Sequence, residues 1–276
     1  MTYISYQVNG TDHVGVVEGN SIRPLLDVTH VGNGIGTETL EKAERSATVI
    51  PRASVRLRPA SPFAKRIICV GLNYKSHIEE TRRDDSDYPV LFPKYASSLI
   101  ADGDDILLPP EGQQPDYEGE LAVIIGRRGR RISESDALDH VLGYTPANDV
   151  TIRDFQYLTH QWMQGKAWDN STPLGSEIVT PAEVDLSASS IRTIIDGETV
   201  QESPLELMIF SIRRLIAEIS VFTELEPGDV ILTGTPGGVG YRRSPQRFIR
   251  PGERIIVEID GVGRIENGVD TEVLAR

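Results

Sequence analysis

Residues 116–125 read Asp-Tyr-Glu-Gly-Glu followed without a break by Leu-Ala-Val-Ile-Ile, and no other stretch restricts the fold so tightly. The apolar half is rich in branched side chains and has the length of a buried strand. Side chains alternate along a strand, so Asp116, Glu118 and Glu120 are expected on one face. Carboxylates that enter a core together repel one another and lose hydration, which a core tolerates only with a compensating cation or proton. An all-oxygen donor set points to a hard divalent metal. The competing reading is the solvated lip of a strand.

The chain has 276 residues, 39% hydrophobic and 25% charged, which is room for a large domain with a smaller one attached. No apolar run approaches the roughly 20 residues that span a bilayer. The first residues, Met1 to Val8, carry no basic segment before a long apolar run, so no secretory leader is expected. A single cysteine, Cys69, excludes an internal disulfide framework and a cysteine-based zinc site. Together these properties suggest a cytoplasmic protein with no membrane role. The net charge of −13 argues against a nucleic-acid partner, which demands a basic face. An anionic substrate would have to be met by a metal and by locally placed lysines or arginines.

Residues 1–60 read as a small β-rich N-terminal domain. A hairpin turns at Asn9-Gly10 between Ile4–Val8 and Val14–Val17, Ile22–Leu25 adds a strand, and 37–47 has helical residue types. Pro51, Pro59 and Pro62 then lead into a main domain over 61–276. Strands are expected at 66–70, 104–108, 118–125, 229–233 and 254–259. A short capped helix is expected from Ser133, and Pro204–Phe222 carries a helical stripe of Leu205, Met208, Ile209, Ile212, Leu215, Ile216 and Ile219. The regular alternation of a doubly wound sheet is missing, so the expected class is α+β, mainly β.

Four further segments carry chemistry, each with a plainer alternative. His77 and Glu80 share a helix face, where a carboxylate orients an imidazole for general-base work, or the two simply cap an exposed helix. Asp149 is a further metal carboxylate or a helix cap, with Arg153 and Gln156 on the following turn. Lys166, between Gly165 and Trp168, binds a carboxylate or snorkels at the surface. The run Thr233-Gly234-Thr235-Pro236-Gly237-Gly238-Val239-Gly240 lacks the lysine of a P-loop; it is a carboxylate nest or a plain loop. The segment 75–90 is dense in charge and poor in apolar anchors, so it is expected to be a mobile lid that carries His77.

The order of these blocks, from Gly71-Leu72-Asn73-Tyr74 with His77 and Glu80 through to the glycine-rich loop, resembles the fumarylacetoacetate hydrolase family from about Arg66 to the C-terminus. The resemblance implies a mixed β-sandwich roll, a homodimer, and a bound magnesium or manganese, with calcium as a substitute in crystals. It makes Glu118, Glu120 and Asp149 the metal ligands and His77 with Glu80 the general-base pair. Lys166 and Gln156 would polarise substrate, Thr235 would belong to the substrate loop, and Lys94 would face the pocket. Asp116 would stand outside the ligand set. The implied activity is hydrolytic cleavage of a carbon–carbon bond in a 1,3-dicarbonyl acid of the acylpyruvate or fumarylpyruvate type, through an enolate. Oxaloacetate-type decarboxylation and hydroxymuconate-type isomerisation share that enolate, and a metal-binding protein with a degenerate site is the non-enzyme alternative. The wall between Thr81 and Tyr95 and the residues from Tyr241 to Phe248 are expected to set the substrate.

Overall fold

The computed structural model describes residues 1–81 and 87–273. Residues 82–86 of the expected lid lie outside the described residues; the helix that opens it, Lys75–Thr81, lies within them.

The run Leu121–Ile125 is buried because its strand, Gly119–Ile125, has a core on each side. Ala122 and Ile124 face one cluster, with Ile67, Cys69, Phe92 and Ile178. Leu121, Val123 and Ile125 face the other, with Ile191, Val257, Ile259 and Ile265 from a second sheet. A strand between two cores has no polar face, which is why it reads as a continuous apolar run. The first sheet is 11-stranded, with Gly119–Ile125 between Val141–Asn148 and Val230–Leu232. The parallel pairing of Val230–Leu232 with Ile67–Gly71 makes it mixed. The second sheet has five strands: Ile106–Leu108, Ser190–Ile195, Glu198–Pro204, Arg254–Ile259 and Gly263–Thr271. The result is a mainly β, α+β sandwich.

The N-terminal hairpin, Thr2–Val8 with Thr11–Glu18, forms as the Asn9-Gly10 turn requires, with both turn residues at positive φ. Thr2–Val8 then pairs with Glu177–Val179, so residues 1–60 continue the large sheet instead of standing apart from it.

Two helical expectations are corrected. The segment after Ser133 is a turn followed by a 3-10 helix at Ala137–His140, short of an α-helix. The long helix begins only at Ile212 and runs to Phe222, with Ser211 Oγ accepting from Arg214 N at 3.3 Å. Upstream, Leu205–Leu207 is a single 3-10 turn. Asn73 overrides the helical spacing there: its O and Oδ1 accept from the N–H groups of Ile209 and Phe210 at 2.8 and 2.6 Å. That grip ties the segment to the loop that introduces His77.

Candidate active site

Glu118, Glu120 and Asp149 meet where Gly119–Ile125 and Val141–Asn148 come to an end together. Gly119 is paired with Asn148, and Asp149 N donates to Glu118 O at 2.8 Å, so the three carboxylates sit on adjoining turns of backbone. One oxygen from each lies within 4.8 Å of the others, and all three residues are buried.

The strand expected to present Asp116 beside them is interrupted. Pro115–Asp116 pairs separately with Thr151–Ile152, and the long strand starts at Gly119. Asp116 Oδ2 instead accepts from Arg153 Nε at 2.8 Å and Tyr241 N at 3.0 Å, while Oδ1 accepts from Gly240 N at 2.8 Å. It anchors Arg153 and the end of the glycine-rich loop.

Basic groups fill the space around the cluster. Lys166 Nζ lies 2.6 Å from both Glu118 and Asp149. Lys94 Nζ donates to Asp149 Oδ1 at 2.6 Å, and Arg153 Nη2 is 2.7 Å from Glu118 Oε1. Burial would push Glu118 up, but Lys166, Arg153 and His77 outweigh it and hold the carboxyl down at about 2. For Lys166, burial disfavours the charge, yet Asp149 and Glu118 more than offset it and raise its pKa. Glu120 is different. Its one recorded bond is from Gly234 N, at 2.7 Å, and no basic side chain pairs with it among the described residues. Burial first, then the Asp149 and Glu118 carboxylates, push its pKa well above the carboxylate range.

This arrangement fits a hard divalent cation. Four buried carboxylates (Asp116, Glu118, Glu120, Asp149) face three buried cations (Lys94, Arg153, Lys166), and the unbalanced charge is on Glu120. A buried carboxylate with no cation takes a proton or a metal, and an all-oxygen donor set suits a hard divalent cation.

Glu118 and Glu120 line a cleft that also receives His77, Gln156, Lys166 and Thr235. His77 Nδ1 is 2.7 Å from Glu80 Oε1, and Glu80 Oε2 accepts from Gly238 N at 2.9 Å. The His77–Glu80 contact is therefore formed and tied to the glycine-rich loop. Helix Met163–Lys166 reaches the cluster because Gly165 packs directly on Gln156, where a Cβ would come within 2.5 Å of its backbone N. Gln156 Oε1 accepts from Arg153 Nη1 at 3.0 Å, so its amide group is what remains for a ligand. Thr235 Oγ1 donates to Gly119 O at 2.9 Å and accepts from Gln201 Nε2 at 2.8 Å, which makes the hydroxyl a brace of the loop.

From sequence the glycine-rich loop is either a nest of N–H groups for a carboxylate or a plain loop. It offers N–H groups, but to the protein's own carboxylates: Gly234 to Glu120, Gly238 to Glu80 and Gly240 to Asp116. Gly234 does this at φ +97, a conformation that requires glycine. Lys94 is also placed differently from expectation. It is fully buried behind Asp149 and is absent from the cleft wall. Sequence reasoning missed Arg153 as the partner of Asp116 and Glu118, and Trp162 as a cleft residue, whereas Tyr241 and Arg242, from the segment expected to set the substrate, do line the cleft. The one available signal was that Asp116 in a core demands a cation.

The model of the fumarylacetoacetate (FAA) hydrolase C-terminal domain matches residues 66–270. The Bos taurus protein named oxaloacetate tautomerase FAHD2A, mitochondrial, is 39% identical over 269 residues, spanning 92% of this chain and 84% of its own. Its Xenopus laevis counterpart is 42% identical over 224 residues, 80% of this chain and 70% of its own. Among solved structures, 5-carboxymethyl-2-hydroxymuconate delta-isomerase from Mycobacterium smegmatis superposes with a TM-score of 0.85 at 31% identity, covering 99% of this chain and 100% of that one. Fumarylacetoacetate hydrolase from Exiguobacterium antarcticum gives 0.84 at 34% identity, with 99% and 100% covered. The expectation of a cytoplasmic protein is overturned by these relatives, since the matching Bos taurus, Homo sapiens and Xenopus laevis proteins are described as mitochondrial. Both the sequence match and the superposed fold place this chain in the fumarylacetoacetate hydrolase family.

Proposed function

We propose that the chain moves a proton next to the carbonyl of a small 2-oxo dicarboxylic acid, interconverting keto and enol forms as the relatives named oxaloacetate tautomerase do. The observation that carries this reading is that Glu118 and Glu120 of the carboxylate cluster line one cleft with His77, which Glu80 holds. Glu118, Glu120 and Asp149 would hold magnesium or manganese, which when bound supplies Lewis-acid polarisation of the carbonyl oxygen.

The remaining chemistry belongs to the side chains. Donation of Nδ1–H to Glu80 makes Nε2 the basic nitrogen of His77, and Glu80 stabilises the imidazolium that forms when Nε2 takes the proton from carbon. Lys166, kept cationic by Glu118 and Asp149, faces the negative charge that develops on the substrate oxygen. The amide of Gln156 orients the carboxylate beside it. His77 then returns the proton to oxygen or to carbon, which sets keto against enol.

Hydrolysis of an acylpyruvate is the second reading. It is favoured by the Exiguobacterium antarcticum structure named fumarylacetoacetate hydrolase, and it asks His77 to take the proton from water instead. Following the enol absorbance of oxaloacetate, pyruvate release from it, and loss of acylpyruvate absorbance separates tautomerase, decarboxylase and hydrolase. Each assay is run with magnesium and again with a chelator. His77→Ala should lower turnover by roughly 10²–10⁴-fold. Acylpyruvate cleavage without catalysed tautomerisation would establish the hydrolytic reading and remove the first.

A further inference from the structure

Two adjacent arginines follow the glycine-rich loop and have opposite surroundings. Arg243 is bonded into the fold: Nη2 donates to Val200 O at 2.9 Å, Nε to Gly238 O at 3.3 Å, and Glu198 lies 3.4 Å from Nη1. Arg242 is exposed, lines the cleft, and has no carboxylate partner among the described residues. Its guanidinium carbon stands 5.1 Å from the Tyr241 ring centroid. That ring is itself packed against Tyr157 and Phe248 at 5.4 and 6.4 Å. The backbone beneath is fixed as well, since Gly240 N and Tyr241 N both donate to Asp116. Arg242 is thus a free charge on a fixed support at the cleft.

Charge balance says what it is for. The four buried carboxylates and three buried cations leave one negative charge, and a divalent ion turns this into one positive. A 2-oxo monocarboxylate neutralises that. A 2-oxo dicarboxylate brings a second negative charge at its far end, away from the metal, that must find another cation in the same cleft. Lys166 and Arg153 are committed to Glu118, Asp149 and Asp116, which among the described residues lining the cleft leaves Arg242.

We propose that Arg242, held on the Tyr241 ring, is the subsite for the distal carboxylate of the substrate and makes the cleft select 2-oxo dicarboxylates over 2-oxo monocarboxylates. The proposal rests on the site reading given above. A guanidinium meets a carboxylate with two parallel N–H donors, so the subsite recognises shape as well as charge.

Binding is followed by isothermal titration calorimetry. The parent, Arg242→Gln and Arg242→Lys proteins are titrated with oxalate, pyruvate and oxaloacetate in saturating magnesium. Arg242→Gln should weaken oxaloacetate roughly ten-fold or more, with oxalate and pyruvate unchanged and Arg242→Lys intermediate. Parent-like oxaloacetate affinity in Arg242→Gln overturns the subsite, as does an equal loss for all three ligands, which would make Arg242 a support of the loop. If the parent binds neither oxalate nor oxaloacetate, the site reading fails and takes the subsite with it. That pattern is distinct from one in which oxalate binds parent and variant alike.

Discussion

Lys94 and Lys166 hold opposite oxygens of the Asp149 carboxylate, each at 2.6 Å, one from behind the site and one from the cleft. Lys94 also donates to Val150 O at 3.1 Å, so it fixes the turn that carries Asp149. Removing one partner of a buried ion pair typically costs about 3–5 kcal/mol, because the other charge stays buried. Lys94→Met should therefore lower stability by about that much, measured by chemical denaturation in chelator. Adding Asp149→Asn should recover part of the loss. A lysine that faced substrate would behave otherwise, raising KM with little effect on unfolding.

Glu120 supplies the sharpest test of the metal. Glu120→Gln keeps the volume and an acceptor for Gly234 N–H, and it removes the one buried carboxylate of the cluster without a basic partner. The metal-free variant should be at least as stable as the parent, since the amide replaces a carboxyl that without metal must be held protonated against burial and its neighbouring carboxylates. A ligand that binds only the folded state stabilises by about 2.7 kcal/mol at 100 times its Kd, so magnesium or manganese should raise the parent's melting temperature. The variant should show no such rise in scanning calorimetry. An equal rise in both proteins would remove Glu120 from the ligand set.

What the sequence disclosed and what it withheld follow one physical rule. Glu118 and Glu120 were legible from alternation along one strand, Asp149 only through the order of the family's blocks, and His77 with Glu80 because three residues separate them on a helix. The Asp116–Arg153 pair joins residues 37 apart, and nothing local announces it. The strand Val141–Asn148 was hidden by Gly143 and Pro146, residue types that ordinarily break strands. The helical spacing before Ile212 was real but lost to the tertiary hydrogen bonds of Asn73. Arg242 was indistinguishable from Arg243 until their partners could be compared.

Acid should weaken the contact at Glu226. This carboxylate accepts from Lys65 at 2.7 Å, from Arg128 at 3.2 Å and from Arg66 at 3.4 Å, beside the parallel strand pair. The Lys65 hydrogen bond lowers its pKa, burial opposes, and the Lys65, Arg128 and Arg66 charges add to the lowering. A folded-state pKa below the unfolded one gives stability that is present above the unfolded value and is lost as pH falls through the folded one. Glu226→Gln should flatten the acid limb of melting temperature against pH and leave its shape near neutrality unchanged. Superimposable acid limbs for parent and variant would show that the cluster contributes nothing.

Residues 1–60 test whether the proposed boundary is one of stability or only of topology. Tyr3, Val14, Val16, Leu25, Val28, Val31, Leu40 and Ala60 share a single core with Ile67, Cys69, Ala122 and Ile124. Thr2–Val8 covers the edge of Glu177–Val179, and Ser61 Oγ donates to Gly228 O at 2.7 Å just past the boundary. Truncation to 61–276 would strip that core and leave a strand edge with unpaired N–H and C=O groups, a template for association with other chains. We expect the fragment to be aggregated or to unfold without cooperativity, read by size-exclusion chromatography and calorimetry. Adding residues 1–60 as a separate chain should restore solubility in part, because the missing strands dock by pairing and burial alone. A monodisperse 61–276 fragment with a sharp thermal transition would instead make residues 1–60 an appendage that the catalytic sheet does not need.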